Sequence, residues 1–369
     1  MKKKVLFITP SLDRTGSEML LWYLLNKLDL NQFEPYLFCV RKGQLYHEIP
    51  QAIGKSTSYR VGKWYHKAFR GILKLFGIEP IGYQLKQLQQ RFKADYWYVN
   101  TIIVPQAYPV AQQLGLKVVT HVHELNYAFG LIKAQQFKNI IDCSTTIVGC
   151  SNLVCNAIGQ LGHPDVRLQN CFINGKTINP HPQRVAELRQ ELGLKDNEFV
   201  WVVSGTMAYM KGLNELLPIL EHFKQAPIRI IWVGAMQDNG LEYYTETVAN
   251  LKYPGKLIFT GSVPADYYNY LSLANGLLLL SKEESFSMVM LEAAYLGIPI
   301  VSFNVGMAKQ FIKEGMGKVV DSWNLEDMYP AMEYLHQNPK QDQKLLKEAV
   351  KEFDLDQQLP QFEALLASL

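Results

Sequence analysis

The chain has 369 residues, of which 48% are hydrophobic and 19% are charged, and its formal net charge at pH 7 is +3. This composition excludes a disordered chain, and the length predicts two domains. A net charge this small does not indicate a nucleic-acid-binding protein, so no nucleic-acid partner is predicted.

Two features bear on the compartment of the protein. The lysines at positions 2–4 are typical of a signal peptide, but the apolar segment 5–8 that follows them is too short for one. The five cysteines are odd in number and have no CxxC spacing, which favours reduced thiols. We therefore expect a cytoplasmic protein, with peripheral contact to the inner face of the membrane as an open alternative.

Short apolar segments alternate with longer helical patterns, and the series occurs twice. Apolar segments without polar alternation are typical of strands covered on both faces, as in parallel α/β sheets. The predicted strands are 5–9, 36–40, 96–100, 117–121, 146–150 and 166–169 in the first series, and 199–203, 228–233, 257–260, 276–280, 300–303 and 318–320 in the second.

The segment 174–182 is rich in Asn, Gly and Pro, which is typical of a linker, and we place a domain boundary there. The predicted organisation is a first Rossmann-like domain over 1–173 and a second over 183–345. A helical tail over 346–369 can cross back to the first domain. We expect two doubly wound domains that face a central cleft, with ligands beyond the carboxyl ends of the strands.

The segment after the predicted strand 276–280 combines two carboxylates with a helix start. Glu284 lies in a polar loop, Glu292 lies in the following helix, and Ser287 between them is a favoured N-cap residue type. The N–H groups and dipole of a helix start suit a diphosphate, and carboxylates suit sugar hydroxyls. The alternative is that both glutamates are solvated surface residues. The predicted donor contacts of this segment are Ser285, Phe286, Ser287, Met288, Val289 and Glu292.

Glu284 and Glu292 are separated by seven residues, and Ala293 and Ala294 follow. This arrangement resembles the E-x7-E signature of the family 4 retaining glycosyltransferases, which have the GT-B fold. The resemblance extends over roughly residues 4–320. It implies that Glu284 contacts a donor sugar, that Glu292 binds the ribose of the donor nucleotide, and that the second domain holds the nucleotide.

A second segment of this resemblance follows the strand 199–203. Lys211 and Gly212 are similar to the Lys-Gly of the family, whose lysine binds the donor diphosphate as a point charge. Many relatives carry an arginine five residues before that lysine, where this chain has Thr206, also a predicted donor contact. Without the resemblance, Lys211 would be interpreted as an exposed loop lysine.

Two segments of the first domain extend the resemblance. Gly16 and Glu18 are similar to a Gly-Gly-x-Glu loop whose backbone approaches the donor phosphate, although an ordinary helix start is the alternative. His123 ends a predicted strand and is similar to a histidine that contacts the donor sugar. A structural histidine, or a metal site formed with His121, are the alternatives. Since spacing identifies no third ligand, no metal is predicted.

Weaker matches complete the predicted donor site. Gly234 and Gly261 follow two strands, where relatives bind the donor with backbone groups. Val305 and Lys309 (or Gln310) stand where relatives often have Gly-Gly-x-x-Glu, which leaves the donor sugar open. Neither a P-loop nor a G-x-G-x-x-G dinucleotide motif is found.

Basic residues recur at helical spacing in the first domain, namely Arg60, Lys63, Lys67, Arg70 and Lys74. The adjoining positions are apolar: Trp64, Ala68, Ile72, Leu75 and Phe76. This pattern over 60–76 predicts a surface helix that meets anionic lipid or a lipid-linked acceptor. The alternative is an ordinary core-facing helix with a solvated basic side.

Taken together, these patterns predict a retaining glycosyltransferase that moves a sugar from a nucleotide-diphosphate donor to an acceptor hydroxyl in cell-envelope polysaccharide or glycolipid synthesis. The predicted catalytic residues are His123, Glu284 and Lys211. The partners are the nucleotide sugar and a glycan or lipid-linked acceptor, and neither a cofactor nor a metal is expected. A nucleotide-sugar epimerase and a non-catalytic nucleotide-sugar- or glycan-binding relative are the alternatives.

Overall fold

The computed structural model of the chain describes residues 2–59, 64–237, 240–339 and 341–369. The chain divides into two units, Met1–Phe172 with Leu355–Leu369, and Ile173–Asp354. The second unit therefore extends beyond both ends of the predicted 183–345. Within the described residues, no helix has the length and apolar character needed to cross a bilayer.

In the described part of the first unit, seven parallel strands form one sheet in the order β3-β2-β1-β4-β5-β6-β7. The strands are β1 (Lys3–Thr9), β2 (Phe33–Cys39), β3 (Gly54–Thr57), β4 (Tyr96–Asn100), β5 (Lys117–Val122), β6 (Thr146–Gly149) and β7 (Val166–Leu168). The order reverses between β1 and β4, which is where ligands bind in doubly wound sheets.

Helices surround this sheet, and the last helix of the chain is among them. They are α1 (Gly16–Lys27), α2 (Trp64–Leu75), α3 (Pro80–Phe92), α4 (Ala107–Gln113), α5 (Asn126–Gly130), α6 (Ala134–Cys143), α7 (Asn152–Gly159) and, from the end of the chain, α16 (Leu355–Ser368). Helix α16 is held by apolar and polar contacts: Phe362 packs edge-on against Tyr98, and the hydroxyl of Tyr96 donates to the carbonyl of Leu366 at 3.1 Å.

In the described part of the second unit, six parallel strands form a sheet in the order β10-β9-β8-β11-β12-β13, which reverses between β8 and β11. The strands are β8 (Phe199–Ser204), β9 (Ile228–Val233), β10 (Leu257–Phe259), β11 (Gly276–Leu279), β12 (Ile300–Phe303) and β13 (Gly317–Val320). The helices are α8 (Pro182–Glu191), α9 (Leu216–His222), α10 (Leu241–Lys252), α11 (Tyr267–Leu271), α12 (Met288–Tyr295), α13 (Ala308–Phe311), α14 (Met328–Gln337) and α15 (Gln343–Ala349).

The predicted α/β architecture of two Rossmann-like doubly wound domains is confirmed. Each predicted strand has a counterpart, because the central strands are apolar and buried on both faces, as in the fully buried β4. Strand β3 was missed. Its sequence, Gly-Lys-Ser-Thr, carries no apolar signal, since it is a partly exposed edge strand paired only with β2.

Candidate functional site

The loop after β8 carries Lys211 and packs against the end of β11. A 3₁₀ turn that ends at Lys211 is closed by Gly212, whose φ is +83°. A Cβ atom at Gly212 would lie 2.4 Å from the Cβ of Leu280, so only a glycine allows this approach. The N–H of Lys282 donates to the carbonyl of Met210 at 2.9 Å and joins the two loops.

This approach brings Lys211 into contact with Glu284. The ammonium group of Lys211 donates to Oε1 of Glu284 at 2.5 Å, and the hydroxyl of Ser281 donates to the same oxygen at 2.6 Å. The Glu284 side chain is 12% exposed and that of Lys211 is 34% exposed. An ammonium group has three donors, and Glu284 uses one. The contact therefore holds a partly exposed cation in a fixed position.

Three glycines follow β8, β9 and β10 and contact one another through their backbones. The N–H of Gly234 donates to the carbonyl of Gly261 at 3.1 Å, and the N–H of Gly205 donates to the carbonyl of Val233 at 3.0 Å. A Cβ at Gly234 would lie 1.9 Å from the carbonyl oxygen of Gly205. The predicted Gly234 and Gly261 therefore form a surface of backbone atoms at the carboxyl edge of the second sheet.

Helix α12 begins without the predicted cap. Ser287 occupies the N-cap position, but its φ of 86° and ψ of 90° differ from the extended conformation of a capping residue, and its side chain makes no capping bond. The Ser287 hydroxyl is buried and has no hydrogen-bond partner among the described residues. The predicted capping role of this side chain is therefore wrong, because the backbone of Ser287 is not extended and its hydroxyl makes no bond to the first turn.

The residues around this helix start differ in exposure. Phe286 is buried and packs against Phe353, so its side chain belongs to the core and only its backbone remains for a ligand. Ser285, Met288 and Val289 are half-buried.

The loop after β12 packs against the loop that carries Glu284. A Cβ at Gly306 would lie 2.8 Å from the carbonyl oxygen of Phe286 and 3.2 Å from the Cβ of Glu284. Gly306 therefore allows the two loops to lie in contact.

Glu292 is held by two phenols. Its Oε2 accepts from the hydroxyl of Tyr267 at 2.8 Å, and its Oε1 accepts from the hydroxyl of Tyr268 at 3.2 Å. The Tyr267 hydroxyl also lies 2.9 Å from the Oγ of Ser204 at the end of β8. Burial raises the pKa of Glu292 to about 7, against a usual value of 4.5. The alternative of a solvated surface glutamate is wrong for this residue.

Two other lysines in the described part of the second unit have carboxylate partners. Lys282 pairs with Glu215 at 2.8 Å, and Lys309 pairs with Asp321 at 2.8 Å on the surface. Thr206, at the position of the arginine in many relatives, is exposed.

In the first unit, the start of α1 contacts the end of β4 through a hydrogen bond. Gly16 is exposed, whereas the carboxylate of Glu18 is buried and accepts from the hydroxyls of Ser11 at 2.9 Å and Ser17 at 3.4 Å. Burial raises the pKa of Glu18 above its usual value. The side chain of Asn100, the last residue of β4, donates to the carbonyl of Ser17 at 3.3 Å.

His123 lies just after β5, beside Asn100. Its Nε2 is 3.1 Å from Oδ1 of Asn100, and its ring centroid is 3.9 Å from that of His121. Nδ1 of His121 lies 2.7 Å from the hydroxyl of Tyr98, and burial lowers the pKa of His121 well below its usual value. The carboxylate of Glu124 accepts from the backbone N–H of His123 at 2.9 Å, and burial raises the pKa of Glu124 to about 7.

Two cysteines lie close to His123. The thiols of Cys150 and Cys171 and one imidazole nitrogen of His123 lie within 4.8 Å of one another. Both thiols are buried, and neither is in a disulfide. Spacing in the sequence identifies no third ligand beside His121 and His123, and these two thiols are potential ligands that the spacing does not reveal. The expectation of no metal stays a prediction. The ligands come from neighbouring strand ends that are distant in sequence.

The predicted site residues thus lie in two groups, each at the carboxyl edge of its own sheet. The group of the first unit is Gly16 and His123, and the group of the second unit is Thr206, Lys211, Gly234, Gly261, Glu284, Ser285, Phe286, Ser287, Met288, Val289 and Glu292. Sequence reasoning did not identify the polar partners Asn100, Tyr267, Tyr268 and Ser281. Adjacent tyrosines and isolated serines are common, so no sequence signal distinguishes them.

The predicted basic helix is only partly described. Helix α2 covers 64–75, whereas Arg60, Lys63 and the side chain of Trp64 lie outside the described residues. On the described part, Leu73 is buried, while Leu75 and Phe76 are 86% and 76% exposed. The helix therefore presents apolar side chains both to the core and to its outer surface.

The two doubly wound parallel sheets, each with polar groups at its carboxyl edge, define a protein with two Rossmann-like domains. Solved structures share this fold over the whole chain. Anabaena Alr3699/HepE in complex with UDP-glucose has a TM-score of 0.81 at 17% identity and covers 99% of this chain and 100% of its own. Sucrose-phosphate synthase from Thermosynechococcus elongatus has a TM-score of 0.79 at 16% identity, over 100% and 99% of the two chains. The GT-B fold is confirmed.

The sequence comparisons find glycosyltransferases among the proteins that this chain resembles. Residues 185–352 match the family model described as Glycosyl transferases group 1. The α-galactosylglucosyldiacylglycerol synthase of Streptococcus pneumoniae is 34% identical over 148 residues, which is 38% of each chain. The N-acetyl-α-D-glucosaminyl L-malate synthase of Bacillus anthracis is 23% identical over 73% of this chain and 74% of its own. Residues 185–352 are therefore similar to the group 1 glycosyltransferases, and the assignment to family 4 stays a prediction.

Proposed function

We propose that the protein is a retaining glycosyltransferase that transfers a sugar from a nucleotide-diphosphate donor to an acceptor hydroxyl. The contact between Lys211 and Glu284 carries this proposal, because it combines a fixed cation with a carboxylate at the carboxyl edge of a doubly wound sheet. The contact lies within the residues that match the family model. The related fold of HepE in complex with UDP-glucose supports a nucleotide sugar as donor.

The proposed roles follow from the chemistry of each group. Glu292 accepts hydrogen bonds from the ribose of the nucleotide, Glu284 accepts from a sugar hydroxyl, and Lys211 binds the diphosphate together with the N–H groups at the start of α12. In the first unit, His123 contacts the donor sugar and the backbone of Gly16 approaches the donor phosphate.

The proposed reaction needs stabilisation of the leaving group. The bond from the anomeric carbon to the diphosphate oxygen breaks, the acceptor oxygen bonds to that carbon on the same face, and the acceptor proton passes to the departing diphosphate. Negative charge grows on the diphosphate in the transition state, where a preorganised cation is most effective. Lys211 fits this role because Glu284 holds its ammonium group before the substrate binds.

Ligand stabilisation and product analysis test this proposal. We expect one nucleotide sugar of a panel to raise the Tm, since a ligand that binds only the folded state stabilises it. Product analysis then follows with and without simple acceptors. Slow donor hydrolysis and acceptor-dependent release of nucleotide would support a transferase. Conversion of the donor without an acceptor would identify an epimerase, and binding with neither reaction would identify a non-catalytic relative.

For the acceptor, we propose a lipid-linked molecule that is met at an anionic membrane surface through α2. Exposed Ile72 and Leu75 lie on one face of the helix with Ala68, and Lys67 and Lys74 are exposed beside them. Apolar side chains flanked by lysines fit the interface of a bilayer that carries anionic lipid.

Sedimentation with vesicles tests this surface. We expect the protein to bind phosphatidylcholine vesicles that contain phosphatidylglycerol and to bind pure phosphatidylcholine weakly. Substituting Leu75→Ser together with Phe76→Ser should weaken binding about tenfold or more, because the protein then loses two apolar side chains that insert into the bilayer interface. Leu251→Ser is the matched control, since Leu251 is 78% exposed on α10 in the second unit. Equal binding of both variants would exclude α2 as the contact.

A further inference from the structure

The cluster of His123, Cys150 and Cys171 contains chemistry that the proposed transfer reaction does not use. Two thiols and an imidazole nitrogen lie within 4.8 Å of one another at the carboxyl edge of the first sheet. Thiolates and imidazoles are the ligands that Zn²⁺ and similar soft cations prefer, whereas Mg²⁺ and Ca²⁺ prefer oxygen.

The topology explains why these residues meet. His123 directly follows β5, Cys150 directly follows β6, and Cys171 lies shortly after β7. The backbone N–H of Cys150 donates to the carbonyl of Val122 at 3.1 Å, and the N–H of Cys171 donates to the carbonyl of Cys150 at 3.1 Å. Three neighbouring parallel strand ends therefore each contribute one potential ligand, although the ligands are far apart in sequence.

The spacing is close to that of a metal site. With Zn–S bonds of about 2.3 Å and Zn–N bonds of about 2.0 Å, tetrahedral ligand atoms lie about 3.5–3.8 Å apart. The observed limit of 4.8 Å differs from this by about one ångström, which side-chain rotations can supply. The side-chain oxygen Oδ1 of Asn100 can only accept a hydrogen bond, so the Nε2 of His123 carries the proton. The Nδ1 of His123 then keeps a lone pair for a cation.

A second imidazole, that of His121, lies against His123 beside this cluster. The Nε2 of His121 is buried and has no hydrogen-bond partner among the residues that the structure describes, and His121 itself is 3% exposed. Its ring packs against that of His123, with 3.9 Å between the centroids. An unpartnered buried nitrogen is costly, and polar ligands are one means of satisfying it.

We propose that His123, Cys150 and Cys171 form a binding site for a thiophilic divalent cation such as Zn²⁺, and that occupation of this site inhibits the enzyme by sequestering His123. Binding of the cation displaces the protons of both thiols, so one Zn²⁺ bound releases two protons from the cysteines. The inhibitory part rests on the proposed function, because it requires that His123 contacts the donor sugar. The binding part does not.

Metal titration tests the binding part without any assay of activity. Reduced protein in a non-chelating phosphine is titrated with Co²⁺ and Zn²⁺, and bound metal is counted by elemental analysis after dialysis. We expect one cation per chain and an absorption band from thiolate to Co²⁺. Cys150→Ser and Cys171→Ser should each weaken binding roughly 100-fold or more, since a ligand is lost. Cys143→Ser is the matched control, because this cysteine lies outside the cluster.

Several results would overturn the binding part. They are the absence of stoichiometric binding, equal affinity in all three variants, and a Co²⁺ spectrum without the thiolate band. Thermal unfolding of each variant without metal identifies any that fails to fold, and the serine variant that does fold then decides the comparison.

Inhibition tests the second part. We expect Zn²⁺ to inhibit nucleotide release in the wild type and in Cys143→Ser, and to leave Cys150→Ser and Cys171→Ser active at the same concentration. Mg²⁺ should not inhibit any of them. Bound Zn²⁺ without inhibition would overturn the regulatory role. If no variant transfers sugar even without metal, the proposed function fails while the titration still decides the binding site.

Discussion

The carboxyl edges of the two sheets hold polar groups in contrasting ways. At the edge of the second sheet, Lys211 contacts Glu284 as a direct ion pair that is partly exposed. At the edge of the first sheet, Glu18 is buried and accepts from neutral hydroxyls, and burial raises its pKa. Glu18 of the first edge is therefore held by neutral partners and desolvation, whereas the second edge adds the opposite charges of Lys211 and Glu284 to the neutral phenols that hold Glu292.

This contrast suggests a division of labour. A cation held by a carboxylate suits the charged diphosphate of a donor, which needs electrostatic stabilisation. Desolvated imidazole and carboxyl groups suit hydrogen bonding to an uncharged sugar. The following predictions test this division, beginning with the largest expected effect.

The first prediction concerns Lys211. We expect Lys211→Ala to lower kcat roughly 100-fold or more, which is the scale of losing one group that stabilises transition-state charge. The measurement is nucleotide release at saturating donor and acceptor. Lys224→Ala is the matched control, because Lys224 is also paired with a carboxylate in the second unit but on the exposed surface, away from every predicted site residue. A Lys211→Ala activity within threefold of the wild type would remove Lys211 from the mechanism.

The second prediction concerns the glycine that brings the Lys211 loop against β11. Gly212→Ala should lower the free energy of unfolding by about 2–3 kcal/mol and weaken donor binding, because the methyl group meets Leu280 as well as an unfavourable φ. Gly193→Ala is the control: its φ is +61° but nothing lies within 4 Å of the added Cβ, so only about 1 kcal/mol is expected.

Urea unfolding measures both of these variants. The difference between them isolates the contact with Leu280 from the cost of a positive φ. Equal losses of stability in the two variants would mean that the Lys211 loop moves away from Leu280 at no energetic cost. That result would contradict the fixed position of the cation.

The sequence predicted the fold well where burial is uniform. Central strands such as β4 are apolar on both faces, so their sequence pattern is unambiguous. The polar edge strand β3 gave no such signal. Glu284, Glu292 and Lys211 could be predicted as site residues because they stand in a recognisable local pattern within one loop or one loop and helix.

The rest of the site depends on contacts that a sequence pattern does not contain. Tyr267 and Tyr268 reach Glu292 from another helix, and Cys150 and Cys171 reach His123 from neighbouring strands. The same limit explains the error at Ser287. Residue type predicts a cap, but Ser287 has a φ of 86° and its side chain makes no capping bond.

The third prediction tests whether Glu292, at the carboxyl edge of the second sheet, binds the nucleotide. We expect Glu292→Ala to weaken binding of the preferred nucleoside diphosphate about tenfold, the scale of losing a hydrogen bond to a charged group. Calorimetry with UDP, GDP and ADP provides the affinities. Glu348→Ala, on the exposed end of α15, should bind as the wild type does. Unchanged affinity in Glu292→Ala would discard the ribose assignment.

The fourth and smallest effect is a dependence of nucleotide affinity on pH, through Glu292 at the carboxyl edge of the second sheet. Because burial raises the pKa of Glu292 to about 7, its carboxyl group is largely protonated at pH 6 and ionised at pH 8. An ionised carboxylate accepts more strongly from ribose hydroxyls, so we expect nucleotide affinity to rise severalfold over this range. In Glu292→Gln the affinity should change little with pH.

The free energy of unfolding should change with pH in the direction opposite to nucleotide affinity. The unfolded chain releases the Glu292 proton near pH 4.5, whereas the folded chain holds it to about 7. The folded state therefore binds more protons in this window, and stability relative to Glu292→Gln should fall as pH rises from about 4.5 to above 7. Urea unfolding of both proteins at pH 5 and pH 8 measures this difference. A wild type that gains stability over Glu292→Gln toward pH 8 would mean that Tyr267 and Tyr268 stabilise the carboxylate more than burial opposes it, and would contradict the raised pKa of Glu292.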